Sequence, residues 1–352
     1  MFFEPCCLAT GIGSLPHAEP ARAMELVSAA IPEIPYVPQL PAMSWHEAML
    51  VQYTEGLPGR VLDERNEKLY LDTEQGLLEL EEFYTRVIED DPEKFPISED
   101  HLHGLSALIR LLERRPDSLA AVKTQVTGPV TQGLSTVDQG RRSVFYNDIF
   151  QEVVVKSCAL KARWMLRRLR PYHSTLLCFV DEPVLSAFGS SVYVSIKRED
   201  VIAQLAEVGS AIRQEGGLCG VHCCGNTDWT LLTEAGVDII SFDAFEFAYS
   251  LPLYPEAITT FLDRGGIIAW GVVPTSSAEV KEQSAESLSV RLEEGMAGIE
   301  KLGVSRRALL RQALITPACG LGTTEESVAE AAFHLLREVS LRMREKAVNA
   351  SA

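Results

Sequence analysis

Gly217-Leu218-Cys219-Gly220-Val221-His222-Cys223-Cys224-Gly225-Asn226-Thr227-Asp228-Trp229 is a short apolar run that ends on a histidine and two cysteines. The run reads as the end of a buried strand over 218–224, with a helix expected over 228–235. Side chains alternate faces along a strand, so His222 and Cys224 point one way while Val221 and Cys223 point the other. An imidazole and a thiolate side by side at a strand end form a half-site for zinc. The missing ligands must come from other parts of the chain.

Outward from this stretch the same strand–helix unit repeats. Strands are expected at 121–127, 175–181, 238–243, 266–273 and 313–317. The matching helices fall at 145–169, 199–215, 255–264, 285–302 and 325–346. On the N-terminal side, 9–17 reads as a first strand running into a Gly-rich turn. A helix at 21–31 follows, with Pro20 suited to its first turn. The segment 36–41 reads as a second strand. Counting both gives eight units, the pattern of a single-domain (β/α)8 TIM barrel over 1–352. A doubly wound open sheet is the alternative topology. Between strands two and three lies an insertion: a hairpin around Asn66-Glu67, then acidic helical sequence at 73–90 and 99–114.

Composition limits the function. With 46% hydrophobic and 23% charged residues, the chain has the balance of a soluble protein with a large core. A formal net charge of −17 argues against nucleic acid or an anionic membrane as partner, because both require a basic surface. No apolar run approaches a membrane span. The N-terminus lacks the basic and apolar regions of a signal peptide, so a cytoplasmic location is expected. Eight cysteines in 352 residues are too sparse for a disulfide scaffold. Cys158, Cys178 and Cys219 read as small buried apolar residues.

In α/β barrels chemistry gathers at the C-terminal ends of the strands, and the unusual residues of this chain fall there. The eighth strand ends in Thr316-Pro317-Ala318-Cys319-Gly320-Leu321-Gly322, and the sixth in Ser241-Phe242-Asp243-Ala244-Phe245-Glu246. His222, Cys224 and Cys319, with Asp243 or Glu246, make an N/S/O set that zinc accepts. The fourth strand ends in Asp181-Glu182-Pro183. Only one of these adjacent carboxylates can face the mouth. It would offer a fixed negative charge to an ammonium group. The third strand ends in Thr127-Gly128-Pro129-Val130-Thr131, where a glycine admits a close approach to the backbone. The turn around Gly11-Ile12-Gly13 lacks the third glycine of a dinucleotide fingerprint. Its backbone N–H groups suit a carboxylate instead.

Together these motifs resemble the C-terminal catalytic barrel of cobalamin-independent methionine synthases, within the uroporphyrinogen decarboxylase-like superfamily. Ile12-Gly13-Ser14, Thr127 to Thr131, Asp181-Glu182-Pro183, His222-x-Cys224 and Cys319-Gly320-Leu321 match that family's motifs in order. The resemblance implies a methyltransferase of methionine biosynthesis, with homocysteine as substrate and Zn2+ as cofactor. It makes His222, Cys224 and Cys319 zinc ligands, with Asp243 preferred to Glu246 as the fourth. It assigns Asp181 to the amino group of homocysteine, and the Gly13 and Ser14 backbone to its carboxylate.

The departures concern the methyl donor. The family's second, N-terminal barrel has no counterpart in these residues. The tryptophan that follows TGPVT is replaced by Gln132-Gly133-Leu134, and the histidine after strand seven is absent from Trp270-Gly271-Val272-Val273-Pro274. The segment His222 to Thr227 also resembles the HxCGNT of methylcobamide:coenzyme M methyltransferases. A corrinoid protein, or another donor that is not polyglutamyl-folate, is therefore expected to supply the methyl. Coenzyme M fits less well as acceptor, because its sulfonate would face the Asp181 anion. The competing expectations are a uroporphyrinogen decarboxylase relative, which needs no metal, and a non-catalytic barrel that binds zinc or a thiol metabolite.

Overall fold

The computed structural model describes residues 3–114, 118–190, 193 and 195–349. The expected domain span of 1–352 therefore includes residues outside the described ones, as does the extreme N-terminus. Seven parallel strands form one curled sheet: β1 (Leu8–Ala9), β4 (Val122–Thr127), β5 (Leu176–Asp181), β6 (Leu218–Cys223), β7 (Ile239–Phe242), β8 (Ile267–Val273) and β9 (Ala313–Pro317). Their order is β1-β9-β8-β7-β6-β5-β4. Two further strands, β2 (Arg60–Asp63) and β3 (Lys68–Leu71), make a separate antiparallel hairpin where one was expected. Glu67 at its turn has φ +49°.

The two strands nearest the N-terminus are weaker than expected. Of the expected first strand, 9–17, only Ala9 lies in a ladder, which is Leu8–Ala9 paired with Leu314 and Ile315. The expected second strand forms no ladder. Single parallel bridges join Ser14 to Gln39 and Tyr36 to Lys123, so residues 36–39 run between the sheet's two end strands. Pro35, Pro38 and Pro41 explain this, since each removes a backbone donor that a ladder would use.

Strand parity separates two apolar clusters. Leu176, Cys178 and Val180 of β5 pack outward with Cys219, Val221 and Cys223 of β6, under the helices. Leu177 and Phe179 pack inward with Ala121, Ile239, Ile267, Ala269 and Leu314. Phe179 lies so close to Gly220 that a Cβ there would sit 2.6 Å from its ring. Above this inward floor the same parity places polar residues. Thr127, Asp181, His222 and Ser241 are successive register partners across β4, β5, β6 and β7.

The helices start at side-chain caps more than at the expected boundaries. The long helix after β4 spans Asp148–Leu169, and the side chain of Asn147 accepts a hydrogen bond from the backbone of Phe150 at 3.3 Å. The expected helix over 228–235 shortens to Thr230–Glu234, with Asp228 bonded to the N–H of Thr230. A further helix, Pro129–Ser135, follows Gly128 directly, with proline in its first turn.

Candidate metal centre

His222 is 3% exposed near the end of β6. Its Nδ1 lies 2.9 Å from the hydroxyl of Ser241 on β7, while its buried Nε2 has no hydrogen-bond partner. With Nδ1 protonated and donating to Ser241, Nε2 carries a free lone pair, the arrangement that metal-binding histidines use. Cys224 follows two residues on, one residue past the end of β6. Cys319 comes from the loop after β9. The ligand atoms of His222, Cys224 and Cys319 all lie within 4.8 Å of one another. Pairing and loop closure thus join residues 95 positions apart in the chain.

The two thiols shift each other in opposite directions. Cys224 is pulled down to about 4 by the neighbouring Cys319 thiol first and by His222 second. Cys319 is pushed up, because its proton is held against the Cys224 sulfur and because it is buried. A thiolate of this kind is already in the form that binds metal.

Ser14 fixes the Cys319 loop. Its carbonyl accepts from Leu321 N at 2.9 Å, and its Oγ accepts from Gly322 N at 3.1 Å. A Cβ on Gly320 would come 2.3 Å from that Oγ, so the glycine is what allows the loop to close on Ser14. The carbonyl of Gly13 accepts from Gln39 N at 3.1 Å. A ligand role for Gly13 and Ser14 therefore falls to their backbone N–H groups.

The two acids after β5 split by parity as expected. Asp181 faces inward, 5% exposed, and its Oδ1 has no partner. Burial pushes its carboxyl up to about 6, while Lys123 and His222 pull against that shift. Glu182 turns the other way into the first turn of Pro129–Ser135, accepting from Val130 N at 3.0 Å and Thr131 N at 2.7 Å. Its carboxyl carbon would lie 2.2 Å from a Cβ on Gly128. The glycine expected to admit a ligand instead admits this carboxylate.

Asp243 lies outside the tight group of three. It caps the short helix Ala244–Phe247, its Oδ1 accepting from Glu246 N at 3.0 Å. Burial pushes it up to about 6, and Cys224 is among the charges that raise it further. Glu246 is exposed. Of the two candidates, Asp243 is the one in electrostatic reach of the sulfurs. His17 is 1% exposed with Nδ1 unpartnered; burial pulls its imidazole down, against Glu326 and Glu330 of the terminal helix Glu326–Asn349.

Lys123 was not anticipated. Fully buried in β4, it donates to the carbonyl of Ile12 and to Oε1 of Gln125, and it stands 4.5 Å over the Phe179 ring. Burial holds it down at about 8, opposed by Asp181. The signal was present in the sequence: Lys123, Gln125 and Thr127 are polar at every second position of the strand, against Val122, Thr124 and Val126 on the other face.

No family model matches the chain, and no curated protein matches it. Solved structures do align with it. A B12-independent methionine synthase from Shewanella sp. W3-18-1, in complex with selenomethionine, is 16% identical with a TM-score of 0.44, over 65% of this chain and 64% of that one. A putative vitamin-B12 independent methionine synthase from Listeria monocytogenes is 18% identical with a TM-score of 0.46, over 69% and 68%. An exo-beta-1,4-mannosidase, Op5Man5 from Opitutaceae bacterium strain TAV5, is 14% identical with a TM-score of 0.42, over 73% and 50%. The chain thus spans just under two thirds of the Shewanella protein.

Proposed function

We propose that the chain is a zinc-dependent thiol methyltransferase of the cobalamin-independent methionine synthase type, converting homocysteine to methionine. In this reading it is one cytoplasmic (β/α)8 domain with an insertion between its second and third strands, and residues 36–39 supply the remaining strand. The observation that carries the proposal is the convergence of His222, Cys224 and Cys319 on one point, with a buried, unpartnered Nε2 among the three. That donor set fits zinc, and Asp243 is the carboxylate that would complete it. Zinc, when bound, would supply the Lewis acidity that keeps a substrate thiol ionised near neutral pH.

The chain's own residues then orient the substrate. Asp181, one strand over from His222, receives the ammonium of homocysteine on its free Oδ1. The backbone N–H groups of Gly13 and Ser14 receive the carboxylate. Lys123, beneath, favours the charged form of Asp181. Held in this way, the sulfur forms its bond to the donor methyl as the donor–methyl bond breaks, and that electron pair leaves with the donor. The donor is a methylated corrinoid, held by a partner protein, or another carrier that is not polyglutamyl-folate.

The test is zinc content by elemental analysis of the wild type and Cys319→Ala, with X-ray absorption after homocysteine is added. The expected result is one zinc per chain, lost in the variant and gaining a sulfur neighbour with homocysteine. No zinc in protein purified without chelator, and none after reconstitution, would overturn the proposal and favour a metal-independent decarboxylase relative.

A further inference from the structure

A second group of ionisable side chains gathers away from the sulfurs. Lys161, midway along the helix Asp148–Leu169, is 1% exposed, and its only hydrogen bond among the described residues is a long one of 3.4 Å to the carbonyl of Pro96. Arg60 at the start of β2 and Arg86 near the end of the helix Thr73–Ile88 are half-buried, and the Nε of each is buried without a partner. Arg60 spends one terminal nitrogen on Nε2 of His101, at 2.8 Å. Arg86 lies 5.6 Å over the Phe95 ring. Among the described residues none of these three cations forms an ion pair. Their neighbours on the same helix behave differently: Arg163 pairs with Asp90 and Glu215, and Arg167 with Asp91 and Glu215.

Among the described residues the carboxylate that acts on Lys161 and Arg60 is Glu55, and it is already engaged. Glu55 accepts from Ser98 N at 2.7 Å and faces Nδ1 of His101 at 3.5 Å. His101 is in turn stacked on His46, with centroids 4.7 Å apart and planes 7° from parallel. Three cations around one spent carboxylate leave an excess of two positive charges. Removing cations from water without a partner is costly, and chains avoid it unless something supplies the counter-charge. Gly56, exposed and with φ +75°, places the backbone beside Arg86: a Cβ there would sit 3.8 Å from one of its terminal nitrogens.

We propose that Lys161, Arg60 and Arg86 form a binding site for a phosphoryl group carried by a small molecule. The charge excess matches a phosphate dianion, and donors from three separate elements suit a tetrahedral oxyanion better than a planar carboxylate. The site does not depend on the methyltransferase reading. It lies one hydrogen-bonded link from the strand ends, because Gln52 accepts from Gln39 at 2.6 Å and donates to the carbonyl of His101 at 2.7 Å.

The experiment is thermal unfolding of the full chain in inorganic phosphate, in citrate and in chloride at matched ionic strength. It uses the wild type, Arg86→Met and Lys161→Met. Phosphate stabilises many proteins weakly by exclusion from their surface, so the difference between wild type and variant is the reading. The expected result is a rise in Tm with phosphate that is about 2–4 °C larger in the wild type than in Arg86→Met, with Lys161→Met resembling the latter. An equal rise in wild type and Arg86→Met would overturn the proposal. So would a rise specific to citrate, which would mark a carboxylate site. Arg86 is half-buried, so its variant keeps the test valid should Lys161→Met fail to fold.

Discussion

Asp181 and His222 are register partners on adjacent parallel strands, and each presents one buried atom, Oδ1 and Nε2 respectively, that no protein group satisfies. Buried polar atoms are paired in the great majority of cases. Under the proposed function, two orphans side by side at the sheet's C-terminal edge are where ligand atoms would sit. Different atoms are implied: a metal for the imidazole, a donor such as an ammonium for the carboxylate.

The Ser241 hydroxyl holds the His222 ring through Nδ1, at 2.9 Å. Ser241→Ala removes that support without touching a ligand. Loss of such a partner costs about 10- to 100-fold in metal affinity. Competition with a chromogenic chelator should show zinc affinity falling within that range while the fold, read by circular dichroism, is kept.

Asp181→Asn separates the ammonium contact from the metal. Zinc content should stay at the wild-type level. A charge-assisted hydrogen bond contributes about 1.5–3 kcal/mol, so homocysteine binding should weaken by about 10- to 100-fold. A thiol acid lacking the amino group should bind wild type and variant alike. Equal weakening of both thiols would show that Asp181 shapes the pocket and does not contact the ammonium.

Gly320→Ala tests the clamp on the Cys319 loop. The new Cβ would fall 2.3 Å from Ser14 Oγ but 3.5 Å from Ser14 Cβ, so the hydroxyl alone is the obstacle. The single variant should displace Cys319 and lower zinc affinity. Ser14→Ala in the same chain removes the obstacle, at the cost of the bond to Gly322 N. The double variant should recover part of the affinity. Zinc titration of the three proteins checks the order.

Parity made much of this site legible. The two-residue spacing of His222 and Cys224, and the adjacency of Asp181 and Glu182, each determine which side chains face inward once a strand is assumed. The structure follows both. The weakness of residues 36–41 is also legible in Pro38 and Pro41 within the segment and Pro35 just before it, against the segment's apolar character. Asp243 was harder to read, because the same carboxylate must cap a helix as well as serve the site, and sequence does not rank those roles. The cation group was not readable at all. His46, Arg60, Arg86, His101 and Lys161 come from separate elements, and no local pattern joins them.

Lys161 gives a prediction on stability. Burial holds its ammonium down at about 8, with Arg60 and Arg86 adding to that and Glu55 opposing it. The unfolded chain keeps the proton until about pH 10.4. Between these values the unfolded state binds more protons than the folded one, so this group makes stability rise with pH across the window. Below pH 8 the lysine stays charged in both states, and the folded protein bears the full cost of burying it. Lys161→Met removes that cost. In buffer without phosphate at pH 7 the variant should have the higher Tm, and the gap should narrow as pH climbs from 8 to 10. Differential scanning calorimetry of both proteins over that range measures it. A variant less stable than wild type at pH 7 would mean that the ammonium is already well compensated within the folded chain.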